Sequence, residues 1–169
     1  MPGTQTETTL PASAQRVQDH LHQNGFACTV FLLPHSTRTA AEAATAMACQ
    51  VAQIAKSLVF RNLDTNQPVL IIASGAHRVD ITKIEHQTGL RLGKAEGTYV
   101  KERVGFAIGG IPPVAHATPL VTILDTTLQS YDQLWAAAGT PHALFRLTPD
   151  QLALMTGGTW LEVAEQVGS

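Results

Sequence analysis

The sequence predicts an α/β fold of the α+β kind, a mixed and largely antiparallel sheet with helices packed around it. Three observations carry that expectation. Short runs of β-branched and aliphatic residues, such as 28–33 (CTVFLL), 68–73 (PVLIIA) and 120–125 (LVTILD), are bounded by turn-forming residues. Helix-start and helix-stop signals fall between and around these runs. Hydrophobic residues make up 44% and charged residues 14% of 169 positions, which fits one domain with its own core and excludes a disordered chain.

In chain order, residues 1–9 are polar, with neither a basic head nor an apolar stretch, so no secretory signal is expected there. Residues 1–11 are expected as a flexible tail and 12–169 as a single domain. Val17 and Leu21 mark a surface helix over 12–24, with Gly25 at its end. A strand over 28–33 stops at Pro34. Thr39, followed three residues later by Glu42, is a capping box opening an Ala-rich helix to Met47. Strands over 54–61 and 68–73 flank a turn rich in Asn and Asp and should pair as a hairpin. Asp80 is placed to cap a helix running to Thr88, ended by Gly89. A second helical stretch is expected over 95–103, then a Gly/Pro loop over 106–116. Strands follow at 120–125, 134–138 and 143–147. Pro149 suits the first position of a helix reaching Met155, and 160–167 reads as a short helix.

Four features carry possible chemistry. Lys56 interrupts an apolar strand and shares a face with Ile54, Leu58 and Phe60. It is either an edge lysine that guards against aggregation or a cation at the mouth of a pocket. The segment Gly105-Phe106-Ala107-Ile108-Gly109-Gly110-Ile111-Pro112-Pro113 is either a stiff turn or a rigid frame presenting backbone N–H groups to a carbonyl oxygen. His116 follows that loop as a general base, a hydrogen-bond donor or a bystander. Asp80 reads first as a helix cap. No zinc spacing, GxSxG elbow or phosphate loop occurs, so neither a metal nor a serine triad is expected. Cys28 and Cys49 form no CxxC pair and are expected as buried thiols in a reducing compartment. A net charge of −2 does not match a protein with a broad nucleic-acid-binding face.

Taken in order, several segments resemble the YbaK/ProX family of aminoacyl-tRNA editing deacylases, relatives of the prolyl-tRNA synthetase editing domain. They are Thr39-Ala40-Ala41-Glu42, Gln53-Ile54-Ala55-Lys56-Ser57-Leu58, Arg78-Val79-Asp80, the Gly105–Pro113 loop, and Trp135-Ala136-Ala137-Ala138-Gly139. The resemblance spans roughly residues 12–165. It implies hydrolysis of the ester between a wrong amino acid and the terminal adenosine of a tRNA. By the same resemblance Lys56 is the functional lysine, and Gly109 and Pro113 are the ends of the family's G-x-x-x-P loop. Lys56 would hold the terminal phosphate or ribose, while the N–H groups of Gly109 and Gly110 would orient the ester carbonyl. Ser57, Ile111, Pro112, Pro113, His116 and Asp80 are the expected substrate-binding residues.

No cofactor is implied. The expected partners are the acceptor end of an aminoacyl-tRNA and, as a second candidate, an aminoacyl-tRNA synthetase. Neither DNA nor a membrane is expected, and the location is expected to be cytoplasmic. Gripping only one RNA end needs few phosphate contacts, for which Arg78, Lys83, Lys94, Lys101 and Arg103 are candidates. Two other readings remain at this stage: a non-catalytic module that holds RNA ends or nucleotides, and a hydrolase of small esters. The catalytic reading requires Lys56 and Gly109 to meet at one hollow.

Overall fold

The structure, a computed structural model, describes residues 9–165. Most of the expected tail over 1–11 and the last two residues of the expected helix over 160–167 lie outside this range.

Five α-helices surround one sheet: α1 (Ala12–Gln23), α2 (Ala40–Met47), α3 (Ile81–Thr88), α4 (Gly97–Val104) and α5 (Pro149–Thr156). The strands are β1 (Val30–Leu32), β2 (Ile54–Asn62), β3 (Pro68–Ser74), β4 (Leu92–Lys94), β5 (Val121–Asp125), β6 (Leu134–Ala137), β7 (Ala143–Leu147) and β8 (Thr159–Leu161). The sheet runs in the order β1-β7-β6-β2-β3-β5-β8, with β4 attached separately to β2. Antiparallel pairings join β1 to β7, β2 to β3, β2 to β4 and β6 to β7. Parallel pairings join β2 to β6, β3 to β5 and β5 to β8.

β3 lies deep in this sheet, and every one of its residues is buried. Its alternation divides the core. Leu70 and Ile72 pack into the larger cluster with Val17 and Leu21 of α1, Val100 and Val104 of α4, and Phe145. Val69, Ile71 and Ala73 pack on the other side with Ile84 of α3 and Ile123. A strand covered on both faces reads as a continuous apolar run, which is the pattern of PVLIIA. A third cluster places Ala43 and Ala44 of α2 against Ile54 and Leu144.

The local signals account for the helix boundaries. The Thr39–Glu42 and Thr148–Gln151 capping boxes are both formed, and Asp80 accepts from the Lys83 N–H. Two expectations need correction. Residues 160–167 do not begin as a helix: Trp160 belongs to β8 and pairs with Leu124, and Ala164 bridges to Val79. The cause is tertiary. Gly157 ends α5 in the left-handed region, at φ 64°, and the chain then lies along the open edge of β5. The short strand β4 was not expected either, because its three residues gain their pairing only from the end of β2. Cys28 and Cys49 are free thiols, each raised in pKa by burial. No helix among the described residues is long and apolar enough to cross a membrane.

The Thr148 cap holds the start of α5 directly after β7. Thr148→Ala removes its hydroxyl from the Gln151 N–H, and urea denaturation should show a loss of about 1 kcal/mol with an unchanged m-value.

Candidate active site

The site originates in a fork at one edge of β2. Along its other edge β2 pairs with β3 from Ala55 to Arg61. On the forked edge β6 takes only Ile54 and Ala55, and β4 takes only Phe60, Arg61 and Asn62. Residues 56–59 therefore have no strand beside them on that edge. A cavity of about 450 Å³ opens there. Because it lies at the edge of the strand rather than over one face, consecutive residues Ile54, Ala55, Lys56, Ser57 and Leu58 all line it. The start of α2, the loop before it and the Gly/Pro loop supply most of the remaining wall, with Gly75, Ala137 of β6 and Leu144 of β7 completing it.

Lys56 is half-buried, and its Nζ donates to the His77 carbonyl oxygen at 2.9 Å. Burial pulls the ammonium below its ordinary pKa of 10.5, the Asp125 carboxylate pulls it back up, and the nearby Arg78 charge lowers it again. Asp125 is fully buried at the end of β5. Its two oxygens accept from the Ser74 and Thr127 N–H groups at 2.9 Å each, and Oδ2 stands 3.5 Å from His77 Nδ1. That last contact is not a hydrogen bond, and His77 Nδ1 is buried without a hydrogen-bond partner among the described residues. One buried carboxylate thus ties the end of β3 to the end of β5 and stands beside the turn whose carbonyl holds Lys56.

The two adjacent glycines have different tasks. Gly109 lines the cavity at φ 102°, and a Cβ there would come within 2.9 Å of Arg38 Nε. Gly110 is buried against the turn between β6 and β7, where a Cβ would meet the Thr140 backbone at 2.7 Å. The Gly110 N–H donates to the Ala107 carbonyl at 3.2 Å, and its carbonyl accepts from the Gly139 N–H. The Gly109 N–H has no intramolecular partner among the described residues. Of the pair expected to face a carbonyl oxygen, Gly109 is thus the one at the cavity with its donor free.

Lys56, Ser57, Gly109 and Ile111 are brought together around the cavity. Ser57 Oγ is buried and unpartnered. Five other expected site residues are not among those lining it: Gly110, packed on Thr140, and four more. Pro112 is buried within the loop, while Pro113 and His116 line a second hollow. Asp80 serves as the cap of α3. Arg38 lines the cavity and escaped the sequence reading, as did Asp125 behind it, while Thr39 was expected only as a helix cap and lines the cavity as well. Arg38 carries no local motif. Asp125 had one faint signal, an acid closing an apolar strand, but only the β3–β5 pairing brings it near Lys56. Among the expected basic residues, Lys83 is engaged with Glu162 and the Ala164 carbonyl, and Arg103 with Asn66 and Tyr99. Among the described residues no cluster of three or more His, Cys, Asp or Glu could hold a metal ion.

A mixed sheet that forks beside Lys56, with Gly109 of the neighbouring loop lining the same cavity, makes this the candidate site of the α/β fold. Residues 35–154 match the model of the aminoacyl-tRNA editing domain, and the chain belongs to that family, the one its sequence resembles. The uncharacterized protein YwhH of Bacillus subtilis (strain 168) is 28% identical over 154 residues, covering 90% of this chain and 98% of that protein. A crystal structure of a candidate trans-editing enzyme for prolyl tRNA synthetase matches at 46% identity and a TM-score of 0.88, covering 93% of this chain and 99% of that one. A scaffold protein from computational epitope grafting matches at 41% identity and a TM-score of 0.87, covering 94% and 100%.

Asp125→Asn should lower the Lys56 pKa further, because the charge that raises it is gone, and a pH titration of the Lys56 side chain by NMR reads this directly. The same variant turns an amide NH₂ toward one of two backbone donors, so it should also cost about 1–3 kcal/mol of stability. An unchanged Lys56 titration would mean that Asp125 does not support that charge.

Proposed function

We propose that the protein is a trans-acting deacylase that hydrolyses the ester joining a small, wrong amino acid to the terminal adenosine of a tRNA. The observation that carries this reading is that Lys56 and Gly109 line one cavity of about 450 Å³. Membership of the aminoacyl-tRNA editing domain family supports the substrate class.

The composition of the cavity wall supports a division of labour. Its ionisable residues among the described residues are Arg38 and Lys56, both cations, and no carboxylate, histidine or cysteine lines it. Such a wall suits a substrate whose scissile ester sits beside an anionic phosphodiester. Lys56 spends one of its three N–H donors on His77 and keeps the others for a phosphate or ribose oxygen. The Gly109 N–H donates to the ester carbonyl as negative charge grows on its oxygen. With no protein base at hand, the attacking water is deprotonated with the help of the ribose hydroxyl adjacent to the ester. The water oxygen adds to the carbonyl carbon. Collapse then breaks the bond to the ribose oxygen, which takes up a proton, and the free amino acid leaves.

Size and polarity bear on the amino acid. Ala43, Ile54, Ile111, Ala137 and Leu144 give an apolar wall, broken by the unpartnered Ser57 hydroxyl. A hydroxyl shielded from water favours a ligand that can hydrogen-bond to it, through its α-amino group or a polar side chain. Alanine, serine, threonine and cysteine are the natural candidates, together with small unnatural analogues. The acceptor end of the tRNA is the proposed partner, and a synthetase is a second one.

The test is a panel of mischarged tRNAs, varied first in the amino acid and then in the tRNA body. The expected result is release of one or a few small amino acids, with Lys56→Ala reducing kcat/KM by on the order of 10²–10³-fold while the circular dichroism is unchanged. Release from small esters but not from tRNA would instead make it a small-ester hydrolase. Equal binding of charged and uncharged tRNA without hydrolysis would make it a binding module.

A further inference from the structure

His116 approaches the glycine loop from behind. It lines a second hollow of about 300 Å³, together with His20, Pro113, Leu120 and Met155. Ile108, Gly109 and Ile111 line the Lys56 cavity, so residues 108–113 pass between the two spaces. From the second hollow His116 Nε2 stands 2.7 Å from the Pro112 carbonyl oxygen. A carbonyl oxygen can only accept, so the hydrogen must be on Nε2.

This contact matters because the loop has few other ties. Pro112 and Pro113 have no N–H to donate. No backbone N–H among the described residues donates to the Pro112 oxygen. Ala115, between Pro112 and His116, sits at φ 70°, a left-handed conformation that is strained for a residue with a Cβ. Strain persists only where neighbours over-determine it. Two side chains do so here. Arg16 lies over the Phe106 ring and donates to the Gly105 and Ala115 carbonyls at 3.3 Å, and His116 closes the turn onto Pro112.

We infer that His116 is a positioning residue: by donating from Nε2 to Pro112, it holds the loop that places Gly109 at the Lys56 cavity. This inference rests on the proposed deacylase reading for its consequence in rate, but not for the geometry. His116 touches neither the cavity nor the ester, which is why it is not a catalytic residue.

The surroundings favour the neutral ring. Burial lowers the His116 pKa below 6.5, the Pro112 carbonyl pulls it partly back, and His20 and Arg16 of α1 lower it again. The other walls of the hollow add no ionisable group: α5 contributes Met155 and Thr156, and the segment over 118–122 contributes Thr118, Pro119, Leu120 and Thr122. At neutral pH the ring is uncharged and the loop is set. As pH falls through the depressed pKa, the ring keeps its Nε2–H on Pro112 but becomes a cation that is largely shut from water and faces Arg16, which penalises the set arrangement of the turn. The sign for stability agrees. The unfolded chain takes up this proton first, so stability falls as pH drops below 6.5 and levels off below the folded pKa.

The test compares the full-length protein with H116Q and H116F. The Gln amide nitrogen reaches the position of Nε2 and keeps the donor without titrating; Phe keeps the bulk and removes it. In the wild type, the Gly109 and Gly110 amide NMR signals should move with the His116 titration, and in H116Q they should not. On mischarged tRNA, H116F should lose kcat by on the order of 10–10²-fold with KM unchanged, and H116Q should recover most of that loss without the acid limb of the wild type. Glycine signals that ignore the His116 titration, or an H116F enzyme with wild-type kcat, would overturn the inference. If the wild type releases no amino acid from any tRNA while the glycine signals still follow His116, the deacylase reading falls and the positioning role stands.

Discussion

The site depends on a constraint of sheet pairing. A strand presents donors and acceptors along both edges, and an edge inside a domain needs partners for them. β2 is paired along one edge, but on the other β6 ends its pairing at Ala55 and β4 begins at Phe60. The stretch between them opens a hollow rather than a packed interface. The candidate site residues line that gap: Lys56 and Ser57 on the strand, Arg38 and Thr39 just before α2, and Gly109 and Ile111 of the Gly/Pro loop. The divergence of β4 and β6 is itself enforced elsewhere. β6 is held by its antiparallel partner β7, and the chain leaving β4 enters α4, whose Val100 and Val104 are sunk in the larger core.

A single fully buried carboxylate sets the electrostatics of the gap. Burying Asp125 is tolerable because two backbone N–H groups satisfy it, and those two groups belong to the ends of different segments. Its charge also partly offsets the cost of half-burying Lys56. The lysine is a cation in a sheltered place, held by the carbonyl of the turn that Asp125 flanks. This also reconciles a net charge of −2 with an RNA substrate. The positive charge is local, from Lys56 and Arg38 in the cavity and Arg78 near its mouth, and a grip on one RNA terminus needs few phosphate contacts.

How much of this was legible in the sequence varied with how local the cause was. The capping box at Thr39, the Asp80 cap, Pro149 at the start of α5 and the hairpin of 54–61 with 68–73 are written in short patterns, and the chain follows them. Lys56 stood out as one charge in an apolar strand. Gly109 and Gly110 looked equivalent, and only the approach of Arg38 to one and Thr140 to the other separates them. Arg38 and Asp125 were missed because their roles come from pairings between distant segments. The same cause turned the start of the helix expected over 160–167 into the end of β8, beside β5. His116 was expected at the substrate and instead lines a second hollow, because the positive φ at Ala115 carries the chain around behind Pro112.

Among the described residues no carboxylate or histidine lines the cavity, which is consistent with the chemistry proposed for it. An aminoacyl ester is already activated, so the barrier left to lower is mainly one of position and charge on a single oxygen. Donors fixed before the reaction lower such a barrier better than mobile acids and bases, because nothing has to reorganise as charge develops. The loop meets that requirement by being stiff: two prolines remove backbone freedom, Gly110 is pressed against Thr140, and Arg16 and His116 hold the strained turn beyond it. Rigidity here is supplied from outside the cavity, by residues that never reach the ester. An enzyme built this way discriminates by what fits between Lys56 and the loop. Changes of amino-acid preference are therefore expected from the residues that set the spacing of those two elements as much as from those that line the space between them.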